Sequence, residues 1–434
     1  MITKQNYNVL SYALIFIAFF SLFLGFYFDE NSAGAGTYEG DIKNIWNNLQ
    51  IFIANDIKSA IESEDYYSSR TPAFYLFNKI FNPFTENIIN FRRSIFIISL
   101  SIPILFYFCL KQKFLKEDNL LLLLITSTLC LSPYYRTSSY WGLEENFGLI
   151  FLLLAFLSLN SFLKKEKEFG YKINLLLFLS TFFSSCCLYF DQKLIIITII
   201  CFAKIIFSKK PNRLRLLSVF YYLTFSLPYI YLISTWGGLF PDQVLSESRQ
   251  IGNKIFLIHV GYTITIIAFY FLPLLSFKNE NVKNQIREFF VKKTNYYIIF
   301  LFLIYLIYLI QFNDFNEQSI IGKGIIHKIS IILFNDNLLR ALFIYFSFFM
   351  SLMVVIIFIE KRFIDILTIF YLCILSLFLW PIFQEYFDPL ILLMVFTFFG
   401  TKLFINYKNV TILYIYLSIL LVGSNIYYTN LLNG

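Results

Sequence analysis

Asp29 and Glu30 stand side by side where an apolar block ending in GFYF gives way to NSAGAGTYEG. A carboxylate fixed at the end of a membrane helix can take a proton from a hydroxyl at the depth of the membrane surface, which is general-base chemistry. Asp29, shorter and nearer the helix end, is the expected base, and Glu30 is expected to orient the molecule that gives up the proton. An anionic leaving group would need cations, and Arg70, Arg249 and His327 are the first candidates, with Arg136, Lys193 and Lys254 next. Other polar side chains suited to binding stand at the ends of apolar blocks: Glu144 and Glu145 in SSYWGLEEN, Gln192 beside Lys193 in FDQK, Asp242 in TWGGLFPDQ, and Gln384 with Tyr386 in FQEYFDP. The six cysteines show no metal-ligand spacing with histidine, and no metal site is read from the sequence.

The elements that must position these groups follow from composition. Hydrophobic residues make up 58% of the 434, and 55 are Phe, more apolar surface than a water-soluble domain can cover. The apolar residues fall in long blocks, many near the roughly 20 residues that a helix needs to cross a bilayer. The expected fold is all-α: a polytopic transmembrane bundle, one integral membrane domain over residues 1–434. About thirteen spans are read, at 8–28, 93–110, 119–134, 147–163, 173–190, 193–208, 214–234, 255–277, 295–311, 338–359, 364–381, 387–405 and 410–428. With the N-terminus inside, runs such as KKEK and SKKPNRLR face the cytoplasm by the positive-inside rule, and Asp29 and Glu30 face out. The net charge of +8 is then the sum of a basic inner and an acidic outer side, and implies no nucleic-acid partner. Ala33-Gly34-Ala35 has the form of a signal-peptidase site, but the block before it is longer than a signal core, and the first span is expected to be retained.

The first outer loop, 29–92, is the longest. Within it GDIKNIWNNLQIFIANDIKSAI places Ile42, Ile45, Leu49 and Phe52 on one helical face, and RTPAFYLFNKIF opens on a proline suited to a first helical turn. Two interfacial helices are expected there, with Ser32 accessible from outside. Gly34, Gly36 and Gly40 lack both the spacing and the βαβ context of a dinucleotide fingerprint.

The order of these features resembles the membrane glycosyltransferases of the C fold class: an apolar first helix, the acidic pair, a surface helix, RTPAFYL, then LSPYYRTSSYWGLEENFGLIF. Within that class the layout is most similar to the dolichyl-phosphate-glucose α-1,2-glucosyltransferase family. FDQKLIIIT looks like its Arg-Gln turn with Asp191 in place of the arginine, TWGGLFPDQ like its Trp-Gly-Gly loop, and FQEYFDPLI like its late aromatic-proline turn. The resemblance implies inverting transfer of a sugar from a polyprenyl-phosphate donor to a glycan, lipid or protein acceptor. It also implies a first-loop acid as base and no cofactor, since several members need no metal, a divalent ion being the alternative. An AT-rich style of residue usage places the protein in a bacterial inner membrane, its site toward the periplasm or exterior. A lipid-linked oligosaccharide polymerase or O-antigen ligase would put its main outer loop late in the chain. A transporter would carry ionisable residues inside its spans and show related halves.

Overall fold

The computed structural model describes residues 4–34, 36–68, 70–165, 170–238, 241, 255–278, 282–312, 322–359, 362–379 and 381–433. Every regular element among them is helical. Nine helices among the described residues are long and apolar enough to cross a membrane, as expected of an integral membrane protein. Four of the blocks read as spans are instead short helices. The block at 119–134 stops at Leu131 because Ser132-Pro133 starts a new helix, with the Ser132 hydroxyl accepting from Tyr135 N–H. Ile195–Ile206 has 12 residues, about 18 Å of rise, and Phe363–Ser376 has 14. In the block at 387–405 the helix covers only Leu390–Phe396. There the buried Asp365 carboxylate accepts hydrogen bonds from Gly400 N, Thr401 N and Thr401 Oγ1, which fixes the chain in a non-helical course. Apolarity alone does not set span length, because a side-chain acceptor or a proline redirects the backbone.

The chain forms two compact units, Met1–Glu247 with Leu417–Gly434, and Ser248–Tyr416. In the first, α1 (Lys4–Tyr27) leads into the outer loop, where α2 (Asp41–Ala54), α3 (Ile57–Ile61) and α4 (Ala73–Phe81) follow. The apolar face of α2 turns inward: Ile45, Leu49 and Phe52 pack with Tyr66, Phe74, Tyr75, Phe91 and Phe147 in one core cluster. Burying that stripe against protein, at about 25 cal/mol per Å² of apolar surface, anchors the loop. Asn48 pins the loop between α3 and α4 by exchanging hydrogen bonds with the backbone of Tyr67. Pro72 stands at the start of α4, where its missing N–H is not needed. The next helices of this unit are α5 (Ile88–Ser99), α6 (Ser101–Lys113), α7 (Asn119–Thr128), α8 (Pro133–Tyr140), α9 (Glu145–Lys164), α10 (Tyr171–Phe190), α11 (Ile195–Ile206) and α12 (Asn212–Trp236).

Candidate active site in the first unit

Helix α1 ends in a Schellman turn. Glu30 N–H donates to Gly25 O at 2.9 Å, Asp29 N–H points to Phe26 O at 3.4 Å, and Asp29 takes the left-handed conformation at φ 52°. Glycine normally occupies that position, and helix C-termini favour cations over carboxylates. The sequence therefore breaks two local rules at one residue, a pattern that points to function at this helix end.

Two arginines from elsewhere in the chain hold the acids in different ways. Arg136, on α8, is buried and makes a bidentate pair with Glu30: Nε donates to Oε1 at 2.8 Å, and an Nη donates to Oε2. The remaining Arg136 donors go to Ser21 O, Ser21 Oγ and Cys130 O. Burial works against the Arg136 charge, but the hydrogen bond and charge of Glu30, together with the nearby Tyr140 and Cys130, outweigh it and raise its pKa. Gly25 makes the fit possible, because a β-carbon there would collide with the Glu30 carboxylate, Arg136 and the Tyr140 hydroxyl. Asn425, from the C-terminal helix Tyr407–Asn433, donates a further, longer bond to Glu30 Oε1.

Arg92, on α5, binds Asp29 through a single atom. One Nη donates to Oδ1 at 2.5 Å and to the Tyr38 hydroxyl at 2.9 Å, while Nε and the other Nη go to Tyr140 O and Phe26 O. The guanidinium lies over the Trp141 ring at 4.1 Å and the Phe26 ring at 4.7 Å, cation–π contacts that fix its plane. Trp141 Nε1 donates to Glu30 O at 3.0 Å, tying the turn after α8 to the acidic pair. The Asp29 side chain is 54% exposed against 13% for Glu30. Asp29 is thus bonded through Oδ1 and open at Oδ2, while both Glu30 oxygens are taken.

Five other residues singled out from the sequence come together at the start of α9. Arg70 forms ion pairs with Glu144, at 3.5 Å, and with Glu145. The Tyr75 hydroxyl donates to Glu144 Oε1 at 2.5 Å, and Lys193 pairs with Asp191 at 3.3 Å, next to Gln192. Burial raises the Arg70 environment's cost for charge, yet the facing Glu145, Glu144 and Asp191 hold the guanidinium firmly protonated. Arg70, expected as a cation for a leaving group, is therefore matched by carboxylates of its own chain.

Burial drives Glu144 the other way, to a pKa of about 7, against the opposing pull of Arg70 and Tyr75. A raised carboxyl pKa means that the native state binds more protons than the unfolded chain between about 4.5 and about 7. The resulting stability is complete below about pH 4.5 and is lost as pH rises through 7. The melting temperature of wild type relative to Glu144→Gln is expected to fall as pH is raised from about 5 to about 8. A difference that stays flat over this range would show that Glu144 does not titrate there.

His327, Gln384 and Tyr386 belong to the second unit. His327 is buried on the helix Gly324–Leu333, with Nδ1 3.4 Å from the Tyr262 hydroxyl. Gln384 bridges Ile325 N and the Tyr270 hydroxyl, at 3.0 Å each, and Tyr386 shares its short 3-10 turn. Asp242, Arg249 and Lys254 lie outside the described residues. Ser32, expected to be accessible, is buried, its hydroxyl donating to Pro133 O at 2.9 Å, because the loop after Glu30 folds onto α8.

Arg92 is the candidate site residue not singled out from the sequence, being the last residue of the first outer loop, just before the span begun at 93. A signal was present: Arg92-Arg93 stand at the foot of an apolar helix, where an ionisable group is costly unless it has a use. Among the described residues no set of three His, Cys, Asp or Glu is grouped to hold a metal. No family model matches the chain, and neither a curated protein nor a solved structure shows significant similarity to it.

Proposed function

We propose that the protein is a membrane glycosyltransferase that moves a sugar from a polyprenyl-phosphate donor to an acceptor hydroxyl, with Asp29 as general base. The observation that carries this reading is the asymmetry of the acidic pair. Asp29 is strained into a left-handed turn, held through Oδ1 alone and open at Oδ2, whereas Glu30 is locked in a bidentate pair. A hydroxyl placed against Oδ2 passes its proton to that oxygen as its own oxygen bonds to the anomeric carbon. The bond from that carbon to the phosphate oxygen breaks on the opposite face, and polyprenyl phosphate leaves with the electron pair. Attack and departure on opposite faces invert the anomeric centre. Arg92, fixed beside Asp29 by its aromatic bed, holds Oδ1 and so aims Oδ2 at the acceptor hydroxyl, on the face away from the departing phosphate.

The deciding experiment is transfer of labelled sugar by purified protein in nanodiscs, with a panel of polyprenyl-phosphate sugars and hydroxyl acceptors. Transfer that depends on Asp29 supports the reading, and no transfer from any donor rejects it.

The same reading places the acidic pair on the outer face of a bacterial inner membrane, on the basic character of the opposite connections. Ser32 is unsuitable as a reporter, but Glu39 and Lys209 are both exposed. In intact cells Glu39→Cys is expected to react with an impermeant thiol reagent and Lys209→Cys to be protected. The reverse labelling would invert the orientation and move the reaction to the cytoplasmic leaflet.

A further inference from the structure

Arg92 does more at the end of α1 than hold one acid. The same Nη that donates to Asp29 Oδ1 at 2.5 Å donates to the Tyr38 hydroxyl at 2.9 Å, so a single nitrogen ties the two side chains together. The two hydrogens of one planar guanidinium nitrogen diverge, which sets these oxygens about 4–5 Å apart. Tyr38 is fixed from the loop side as well. Asn31 Oδ1 accepts from Gly34 N at 2.8 Å and from Gly36 N at 3.1 Å, which closes the chain after Glu30 into a tight turn. Gly36 then lies so close to the Trp141 ring and to Asn31 Oδ1 that a β-carbon would not fit. Two residues on, the Tyr38 ring meets the Trp141 ring edge to face, with centroids 5.3 Å apart.

Both members of this pair can be reached from solvent. Tyr38 is 37% exposed and the Asp29 side chain 54%. The Tyr38 oxygen accepts from Arg92, so its own hydrogen is left to donate, and among the described residues no acceptor meets it. Asp29 Oδ2 is the complement, an acceptor that no donor of the chain engages. An open donor and an open acceptor on one rigid mount suit a molecule that carries two hydroxyls on neighbouring carbons. One hydroxyl gives its hydrogen to Asp29, and the other takes one from Tyr38. A bond from Tyr38 to the reacting hydroxyl itself would be unproductive, because it would occupy the lone pair that must attack.

We propose that Tyr38 determines acceptor specificity, selecting a vicinal diol by donating its O–H to the hydroxyl next to the one that Asp29 deprotonates. That the diol is the acceptor rests on the transfer reaction proposed above, whereas its capture by Tyr38 and Asp29 rests on their geometry alone. A lone alcohol, such as a serine side chain or a lipid alcohol, meets only Asp29. Holding the second oxygen sets the direction from which the first presents its lone pair, and orientation of this kind contributes to rate.

The test is saturation-transfer NMR of the full protein in nanodiscs with methyl glucoside, methyl galactoside and methyl mannoside, each alongside its monodeoxy analogues, at millimolar concentration. At least one glycoside is expected to bind wild type, and loss of one of its hydroxyls is expected to weaken binding about fivefold. Tyr38→Phe, which keeps the ring against Trp141, is expected to weaken the parent glycoside by the same factor, to bind that deoxy analogue as wild type does, and to melt at the wild-type temperature. A general disturbance of Arg92 would weaken parent and analogue alike, so the coupling reports a direct bond. In transfer assays Tyr38→Phe is expected to lower kcat/KM for a diol acceptor and to spare a monohydroxy acceptor. No glycoside bound, losses that simply add, equal loss of transfer with both acceptors, or displacement of the glycoside by inorganic phosphate each overturns the role of Tyr38. Transfer that depends on Asp29, seen beside any of these, leaves the transferase reading standing. Coupled binding without transfer from any polyprenyl-phosphate donor rejects that reading and leaves Tyr38 as the partner of the diol.

Discussion

Asp29→Asn is expected to lower sugar transfer by about 10²- to 10⁴-fold, the usual range for loss of a general base, while donor binding and membrane insertion persist. Asparagine keeps the shape of the side chain and is among the few residues other than glycine that tolerate the left-handed conformation seen at this position, φ 52°. It also keeps an acceptor oxygen for Arg92 at the place of Oδ1. What it lacks is the capacity to hold a proton at the open oxygen. The measurement is single-turnover transfer in nanodiscs, which separates chemistry from binding. Equal rates in wild type and Asp29→Asn would sink the assignment of the base. Loss of turnover in Glu30→Gln with normal turnover in Asp29→Asn would exchange the two roles, against the geometry, since both Glu30 oxygens face Arg136.

Arg136→Ala is expected to cost about 3–5 kcal/mol of stability, because it leaves the Glu30 carboxylate inside the protein without its bidentate partner. The guanidinium also satisfies Cys130 O, so its removal strands a backbone acceptor as well. The expected readout is a large fall in melting temperature and in the yield of monodisperse protein. Arg136→Ala with Glu30→Ala should recover part of that loss, since no charge then stays buried alone. If the single variant is as stable as wild type, Glu30 is not held by this pair, and its exclusion from proton transfer loses its structural ground. Arg92→Ala differs in kind: the carboxylate it leaves is half exposed, and water can solvate it, so activity is expected to suffer more than stability.

The sequence by itself determined the class of fold, because a chain this apolar has only the bilayer in which to bury so much surface, and there the backbone must pair within helices. It also placed the end of the first helix at Asp29-Glu30 and the apolar stripe of α2, both of which depend on neighbours within one or two turns, whereas the burial of that stripe against protein, in a helix expected at the membrane interface, is tertiary. Periodicity could not tell which apolar blocks become long helices. Asp365 diverts the block at 387–405 from 36 residues away in sequence, through its bond to Thr401 N, and Pro133 divides the one at 119–134. Nor could local pattern distinguish the two carboxylates, which differ by one methylene and share the same environment on paper. Their difference comes from Arg92, 63 residues from Asp29, and Arg136, 106 residues from Glu30. Only the tertiary structure brings one guanidinium edge-on to a single oxygen and the other face to face with two. An ion pair is specified by where two side chains end in space, and a fork of donors fixed by Trp141 and Phe26 on one side, and by Ser21 and Cys130 on the other, leaves one acid open and closes the other.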